Sequence, residues 1–500
     1  MSAFTTQDTI AVHSFAGAPR TPRYHLPIRA ERPARSSAPA ELGTRGYRDA
    51  IKAFDTTHPM RPALAGTATT VADVQVALAA ARERGLGVRM HSTGHGASRQ
   101  ADMARDLLLR VRIDEPVTLD RSTGVVRIPA GTAWSNVVPV LAPQGLAAAH
   151  GSSSHVGAVG YLLGGGLSAY ARSTGVAANT IESVEMVLAD GRFVVVDAQH
   201  EPELFWAIRG GGGGLGVVTA VNVRAFAPGG IVTGAAFWRL DDAPAVADAW
   251  ESWSRVAPST ITTSIRVMSL LPVPGVPARL FGRRFLVVSG TAVDRGPATG
   301  MDASAIEAAG GLLGRLKAAA RPVFDSWQSS DAMEVPNTHM DPPIGAAHVA
   351  DHMLLGDHIG AGASHDGRTV SPVAAWLELA TQGPARKLDM MELRQLGGGL
   401  SQAPTQGGAV ASLAGRFGYF AVGARLPWRG DEANLASLNS VRQVLSAWDT
   451  GRTAPTFAVD RRRPQRSFGD HQAARAAAVR AAVDPTGVFA GDVALGALRA

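Results

Sequence analysis

The chain has 500 residues, with 48 basic against 42 acidic side chains for a net charge of +6, 46% apolar residues and no cysteine. That length exceeds what one compact core organises, so two or three domains are expected. Lack of cysteine excludes disulfides, iron–sulfur clusters, zinc fingers and thiol catalysis; a small charge excess without a basic stripe excludes a nucleic-acid reader, and no stretch reaches the roughly 18 continuous apolar residues of a membrane span.

Residues 1–45 read as a disordered tail. Arg20, Arg23, Arg29, Arg32 and Arg35 stand against Asp8 and Glu31, a net of +3 (five minus two), in a segment rich in Pro and Ala. It has no apolar segment of the kind that opens a secretory signal, so a cytoplasmic location is expected. From Tyr47 the pattern becomes regular. Thr70 followed by Asp73 predicts a capped helix with Val71, Val74, Leu78 and Ala81 on one face, ended at Gly85. A short strand, 87–91, runs directly into a loop of small residues, 92–98. A strand at 125–128 and a helix at 134–141 follow. Strands at 184–188 and 192–196 meet at Asp190-Gly191, a hairpin signal. A helix at 203–208 and a strand at 216–226 close a unit spanning 46–228. Beyond Pro228-Gly229-Gly230, strands are expected at 231–240, 260–271, 279–290, 388–394 and 416–424, with helices at 243–255, 304–319 and 431–447. This second unit, 229–470, reads as an antiparallel sheet backed by helices. The final segment, 471–500, is expected to hold a helix and to return to the first unit.

Two glycine-rich segments stand out: Gly157 to Gly166, with the triplet Gly164-Gly165-Gly166, and Arg209 to Thr219, with five consecutive glycines. Glycine lets a backbone approach a ligand closely, and successive free N–H groups form a concave anion site. Neither segment is a Walker A loop, and neither sits in a first strand–turn–helix as a Rossmann fingerprint requires. Such runs are also common as plain turns.

Order and spacing carry more. His91-Ser92-Thr93-Gly94-His95-Gly96 is followed by Ala130-Gly131-Thr132-Ala133-Trp134. Then come Gly151-Ser152-Ser153-Ser154-His155-Val156-Gly157, the Gly164–Gly166 triplet, Leu188-Ala189-Asp190-Gly191 and Leu204-Phe205-Trp206-Ala207-Ile208-Arg209-Gly210. This series resembles the PCMH-type FAD-binding domain of the vanillyl-alcohol-oxidase superfamily, and within it the berberine-bridge-enzyme-like oxidases. It is dense over 46–228 and looser through His339-Met340-Asp341-Pro342, Glu392 to Gly398 and Asp484-Pro485. The resemblance implies an α+β fold: a two-part FAD-binding domain plus a substrate domain with an antiparallel sheet backed by helices.

It further implies FAD bound covalently through His95, with His91, Ser92, Thr93, Gly94, Gly96, Ala97, Ser153, Gly157, Gly160, Gly165, Gly166 and Val218 around the cofactor and no metal. His91 stands where many relatives have Arg. Ser153 takes the place of the cysteine that makes a second flavin bond in some relatives, so only a single attachment is open to this chain.

The proton acceptor is less legible. Relatives use a tyrosine near the C-terminus; the matching place here is Thr456-Phe457, and no tyrosine follows Tyr419. Gln395 also departs from the His common in relatives. Tyr419 and Glu392 are the preferred candidates, with His339 and His352 behind them. Tyr419 shares a strand face with Phe417, and Arg394 shares one with Glu392. The expected reaction is hydride transfer from a small organic substrate to flavin with reoxidation by O2, in secondary metabolism and with no nucleic-acid or membrane partner. The alternative is a redox-neutral cyclisation or dehydration. Trp238, Phe281, Phe285, Phe417 and Phe420 suggest an aromatic or polyketide-like substrate at least as much as a sugar.

Overall fold

A computed structural model describes residues 37–97, 103–270, 280–295, 304–357, 364–365, 368–425, 431–458 and 466–489. Most of the expected tail, 1–36, lies outside the described residues. Its last part does not behave as a tail. Ser37–Ala40 forms an edge strand antiparallel to Leu64–Ala68, and the Thr44 side chain accepts from Tyr47 N to cap the helix Arg45–Ala50. The composition that reads as disorder is compatible with an edge strand, which tolerates Pro39.

The first unit holds two sheets. A four-stranded sheet runs Ser37–Ala40, Leu64–Ala68, Asp106–Val111, Gly87–His91, its last three strands parallel. The helix Val71–Glu83 supplies the crossover, and its capping box is formed as the Thr70/Asp73 spacing predicts. A five-stranded antiparallel sheet runs Thr118–Asp120, Val125–Pro129, Val217–Arg224, Ile181–Val187, Phe193–Val196. The hairpin at Asp190-Gly191 is made: Gly191 has φ +91° and Asp190 Oδ1 accepts from Arg192 N at 2.9 Å. One apolar core joins both sheets through Leu107, Leu109, Ile128, Trp134, Val184 and Val221.

The second unit is built on an eight-stranded sheet ordered Phe324–Asp325, Pro228–Trp238, Arg284–Arg295, Ile261–Ser269, Met390–Gln395, Phe417–Ala424, His348–Leu355, with Gln328–Ser330 alongside Pro228–Trp238. The helices Ala243–Ser254, Ala305–Ala319, Pro372–Thr381 and Asp431–Leu445 cover one face, burying Trp250, Leu312, Trp376 and Val441 against Ile265, Val267, Met391 and Leu393. The strand expected at 279–290 starts later, at Arg284. Gly282 at φ +66° makes a turn first, its N–H donating to Leu270 O.

The C-terminal helix Asp470–Val483 packs against the first unit. Arg475 pairs with Glu203 at 2.6 Å and lies over the Trp206 ring. Arg480 donates to Gly213 O, and Val88 N donates to Val488 O. Among the described residues no helix is long and apolar enough to cross a membrane.

Candidate functional site

The open face of the eight-stranded sheet and the glycine loops of the first unit enclose a cleft of about 1060 Å³. His91, Ser92, Thr93, Gly94, His95, Gly96, Ser153, Gly157, Gly160 and Val218 all line it, as do Gly212, Gly213 and Gly216 from the second glycine segment.

The His95 loop is held from behind. Phe54 N and Asp55 N donate to the carbonyls of Thr93 and Gly94. Gly94 sits at φ +78°, and a Cβ there would come within 2.6 Å of Ala53 Cα, so only glycine fits. The His95 ring stacks on Phe54 at 3.8 Å, and its Nδ1 lies 2.9 Å from Thr93 Oγ1. Its Nε2 is buried without a hydrogen-bond partner among the described residues. Burial, with a smaller push from His155, lowers the His95 pKa to about 4, so the imidazole is neutral near pH 7 and keeps a free lone pair. His91 is also pushed down to about 4, first by burial. Its Nε2 is 2.7 Å from Ala50 O. It therefore supplies no cation where relatives have Arg. Arg110, opposite it in the parallel ladder, is close by and donates to Ser92 O.

Three expected cofactor residues lie elsewhere. Gly165 and Gly166 face protein rather than the cleft. At Gly166, with φ +73°, a Cβ would meet Tyr161 Cε1 at 2.5 Å; at Gly165, with φ +88°, it would point toward Val410. Their glycines serve the turn and its packing. Gly166→Val is accordingly expected to lower the yield of folded protein itself, with loss of flavin as a consequence; soluble yield and thermal midpoint check this. Ala97 is buried in the small core around Tyr47 and Met60 and does not reach the cleft.

The opposite wall comes from three adjacent strands and one turn. Register places Arg266 beside Glu392 and Glu392 beside Phe420, all on the cleft side. Glu392 is fully buried. Its Oε1 is 2.8 Å from His339 Nε2 and accepts from Arg394 Nε at 3.0 Å. His339 Nδ1 is 2.8 Å from Asp341 Oδ1, so the imidazole meets a carboxylate at each nitrogen. Asp341 accepts from Ser152 Oγ at 2.7 Å, which ties this wall to the residue before Ser153. Arg266 donates to His339 O at 2.6 Å. Burial raises the Glu392 pKa, but Arg394 and His339 outweigh it and hold the group well below the usual carboxylate range. Asp341 is held low in the same way: burial opposes, and His339, Ser152 and Arg394 prevail. Both carboxylates are thus ionised and weakly basic.

The turn carrying His339 and Asp341 is strained. Met340 adopts φ +57°, a left-handed conformation that a non-glycine side chain adopts at a cost. Its side chain is buried with Phe237, Leu270, Phe285 and Phe324, which offsets that cost and lets residues two apart face each other.

The expected candidate Tyr419 is not in the cleft. It is fully buried with Phe417 and Met391 under the helices, because the alternation that turns Phe420 and Val422 to the cleft turns Tyr419 away. Of the aromatics expected to shape a pocket, only Phe420 lines it. Trp238 and Phe417 are core under the helices, Phe285 packs in a smaller core and Phe281 is partly exposed at the surface. Phe457 does line the cleft, 5.3 Å from Phe420. His352 lies behind it, 5.2 Å from the Phe457 ring. Sequence reading missed Arg266. Its signal was a lone charge inside an otherwise uncharged strand, Ile261–Ser269, which calls for a buried partner.

Several buried imidazoles give the fold a defined pH response. Burial lowers His91 and His150 to about 4 and His352 to about 3, from 6.5. The unfolded chain takes up these protons near pH 6.5, whereas the folded chain resists until about 4 or below. Stability is therefore full above 6.5 and lost as pH falls through that window, on the order of 3 kcal/mol per group. Urea midpoints at pH 7.5, 6, 5 and 4 should fall steadily; a flat profile down to pH 4.5 would refute this.

Residues 62–197 match the family model described as FAD binding domain. A xylooligosaccharide oxidase from Thermothelomyces thermophilus is 33% identical over 177 residues, 35% of this chain and 36% of that protein. The chain spans less than half the length of the curated relatives it matches. Among solved structures, wild-type Physcomitrella patens BBE-like 1 superposes with a TM-score of 0.72 at 18% identity, covering 93% of this chain and 98% of that one. Glucooligosaccharide oxidase from Acremonium strictum superposes at 0.72 and 17% identity, covering 93% and 98%. The residues present fit the cofactor these matches imply, since a large glycine-walled cleft receives a half-buried, neutral histidine whose Nε2 is buried and unpartnered among the described residues. Residues 62–197 form an FAD-binding domain, and the chain as a whole has the fold of the solved BBE-like and oligosaccharide-oxidase structures.

Proposed function

We propose that the protein is an FAD-dependent oxidoreductase of secondary metabolism that carries its flavin covalently on His95 and oxidises a small organic molecule. The carrying observation is the His95 nitrogen: buried, neutral and unpartnered at the cleft floor. A neutral imidazole held by ring stacking and a side-chain hydrogen bond is a competent nucleophile. The structurally similar glucooligosaccharide oxidase is described by a 6-S-cysteinyl, 8α-N1-histidyl FAD, which supports a histidyl bond here.

When bound, FAD supplies the hydride acceptor, with O2 as the electron sink. The chain supplies the rest. The Ser92–Gly96 and Gly157–Gly160 backbones would hold the cofactor. The opposite wall seats the substrate, and Arg394, Glu392 and His339 fix the local charge. Anaerobic addition of a substrate panel to the purified yellow protein, followed by admission of air, tests this. Bleaching and recolouring are expected; a flavin that no alcohol, sugar or aromatic compound bleaches would sink the reading.

One observation favours the redox-neutral alternative. Phe457 stands in the cleft where relatives have tyrosine, and Glu392 is fully engaged by Arg394 and His339. Oxygen uptake matching product formation mole for mole would exclude a redox-neutral cyclisation or dehydration.

Ser153 lines the cleft next to Ser152. Ser153→Cys is expected to yield a fraction of doubly attached flavin, read as a cross-linked flavin–dipeptide mass after proteolysis. A digest containing only the His95 adduct would show that Ser153 does not approach the ring.

A further inference from the structure

The cleft wall on the second unit divides into two bands. Arg266, Glu392, Arg394 and His339 make the polar one. Met268 lies beside Met390, and Met390 beside Val422; with Leu270, Phe420 and Phe457 they make an apolar band.

The polar band is spent on itself. Arg394 donates to Glu392 and, at 3.4 Å, to Ser152 Oγ. His339 meets Glu392 and Asp341. Arg266 donates to His339 O and to Ser289 Oγ. Most donor and acceptor capacity in this band is committed, which leaves chiefly the Arg394 Nη1 donors for a ligand. A sugar placed here would give up water around several hydroxyls and find few replacements, which is unfavourable for each buried polar group. An apolar ring would lose nothing comparable, and would gain from covering side chains that stand half-buried at the cleft, among them Met268, Met390, Phe420 and Val422. The aromatic edge at Phe457 adds no hydroxyl. It packs on Phe420 at 5.3 Å, with the Arg394 guanidinium 4.9 Å from its ring centre.

We propose that the substrate is a largely apolar, ring-bearing small molecule seated on Met268, Met390, Phe420, Val422 and Phe457, and is not an oligosaccharide. This rests on the reading of the cleft as the flavin and substrate site. It departs from the oligosaccharide oxidases that share the fold.

The test is calorimetric, on the full chain with the cofactor it retains when purified, and flavin content is read separately from the absorbance of acid-denatured protein. 2-Naphthalenemethanol is the apolar probe and xylobiose the comparator. The naphthyl probe is expected to bind at least tenfold more tightly, with the negative heat-capacity change of apolar burial. Phe420→Ala should weaken it about tenfold, and Val422→Ala by a few-fold. Both side chains are half-buried at the cleft face, so at least one truncation should fold, with thermal midpoints as the control. Xylobiose binding as tightly as the probe, no measurable probe binding, or folded truncations that leave its affinity within twofold overturn the proposal. Apolar preference in a protein without flavin would instead remove the flavin reading and leave the preference standing.

Discussion

His95→Ala is expected to yield a protein whose yellow colour, if any remains, washes out entirely on acid precipitation, whereas in the wild type the colour stays with the polypeptide. The argument is local and chemical. The His95 ring is wedged against Phe54 at 3.8 Å and oriented through Nδ1 by Thr93. Burial keeps it unprotonated, so a lone pair is present at neutral pH. The other imidazoles at the cleft, among the described residues, are placed differently. His91 also keeps one unpartnered nitrogen, Nδ1, but is tied through Nε2 to Ala50 O and has no ring stacked on it as Phe54 is on His95, His348 Nδ1 is 3.0 Å from Ala346 O, and both nitrogens of His339 are taken by carboxylates. With no cysteine in the chain, a thioether is chemically impossible. Alanine at 95 leaves the glycine backbone around the cleft intact, so flavin affinity should fall without vanishing. In-gel flavin fluorescence and peptide mass decide it. Acid-stable flavin in His95→Ala, or acid-labile flavin in the wild type, would each reject the attachment.

The second large effect separates two residues that the sequence alone ranked together. Glu392→Gln is expected to destabilise the fold by about 3–5 kcal/mol, because it removes one partner of a buried charge network and leaves the Arg394 guanidinium facing an amide. It should also slow anaerobic flavin reduction by an order of magnitude or more, since His339 and Arg394 lose their common anchor at the cleft wall. Tyr419→Phe should leave the reduction rate within about twofold and the urea midpoint within the range of a conservative core change. Tyr419 is buried beneath the helices on the far face of the sheet. Stopped-flow reduction at a temperature well below both unfolding midpoints keeps rate and stability apart. A slow Tyr419→Phe, or a Glu392→Gln that reduces like wild type, would reverse the assignment and return the search for a proton acceptor to the first unit.

What could be read without coordinates was what local chemistry decides. The capping box at Thr70 and Asp73, the Asp190-Gly191 hairpin and the helix over 134–141 depend on neighbours within a few positions and form where expected, while the helix expected over 431–447 ends at Leu445 and passes into a tighter turn. The loop at 91–96 and the glycines at 157, 160, 212, 213 and 216 were legible as a cleft wall because close backbone approach demands small residues, whereas Gly165 and Gly166 answer to packing against Val410 and Tyr161. Elements whose reason for existing is distant were not found. Leu64–Ala68 and Asp106–Val111 are parallel strands buried by each other, and His348–Leu355 is a strand because it pairs with Phe417–Ala424, some 60 residues on. The same limit governs the site. Alternation tells that Glu392 and Arg394 share one face and Phe417 and Tyr419 another, but not which face sees the cleft. That choice is made when four helices cover one side of the sheet and leave the other to the flavin domain. Ser152, Arg266, His339, Asp341 and Glu392 come from four separate segments, and only tertiary packing, with Met340 forced left-handed between two of them, brings their charges within hydrogen-bond distance.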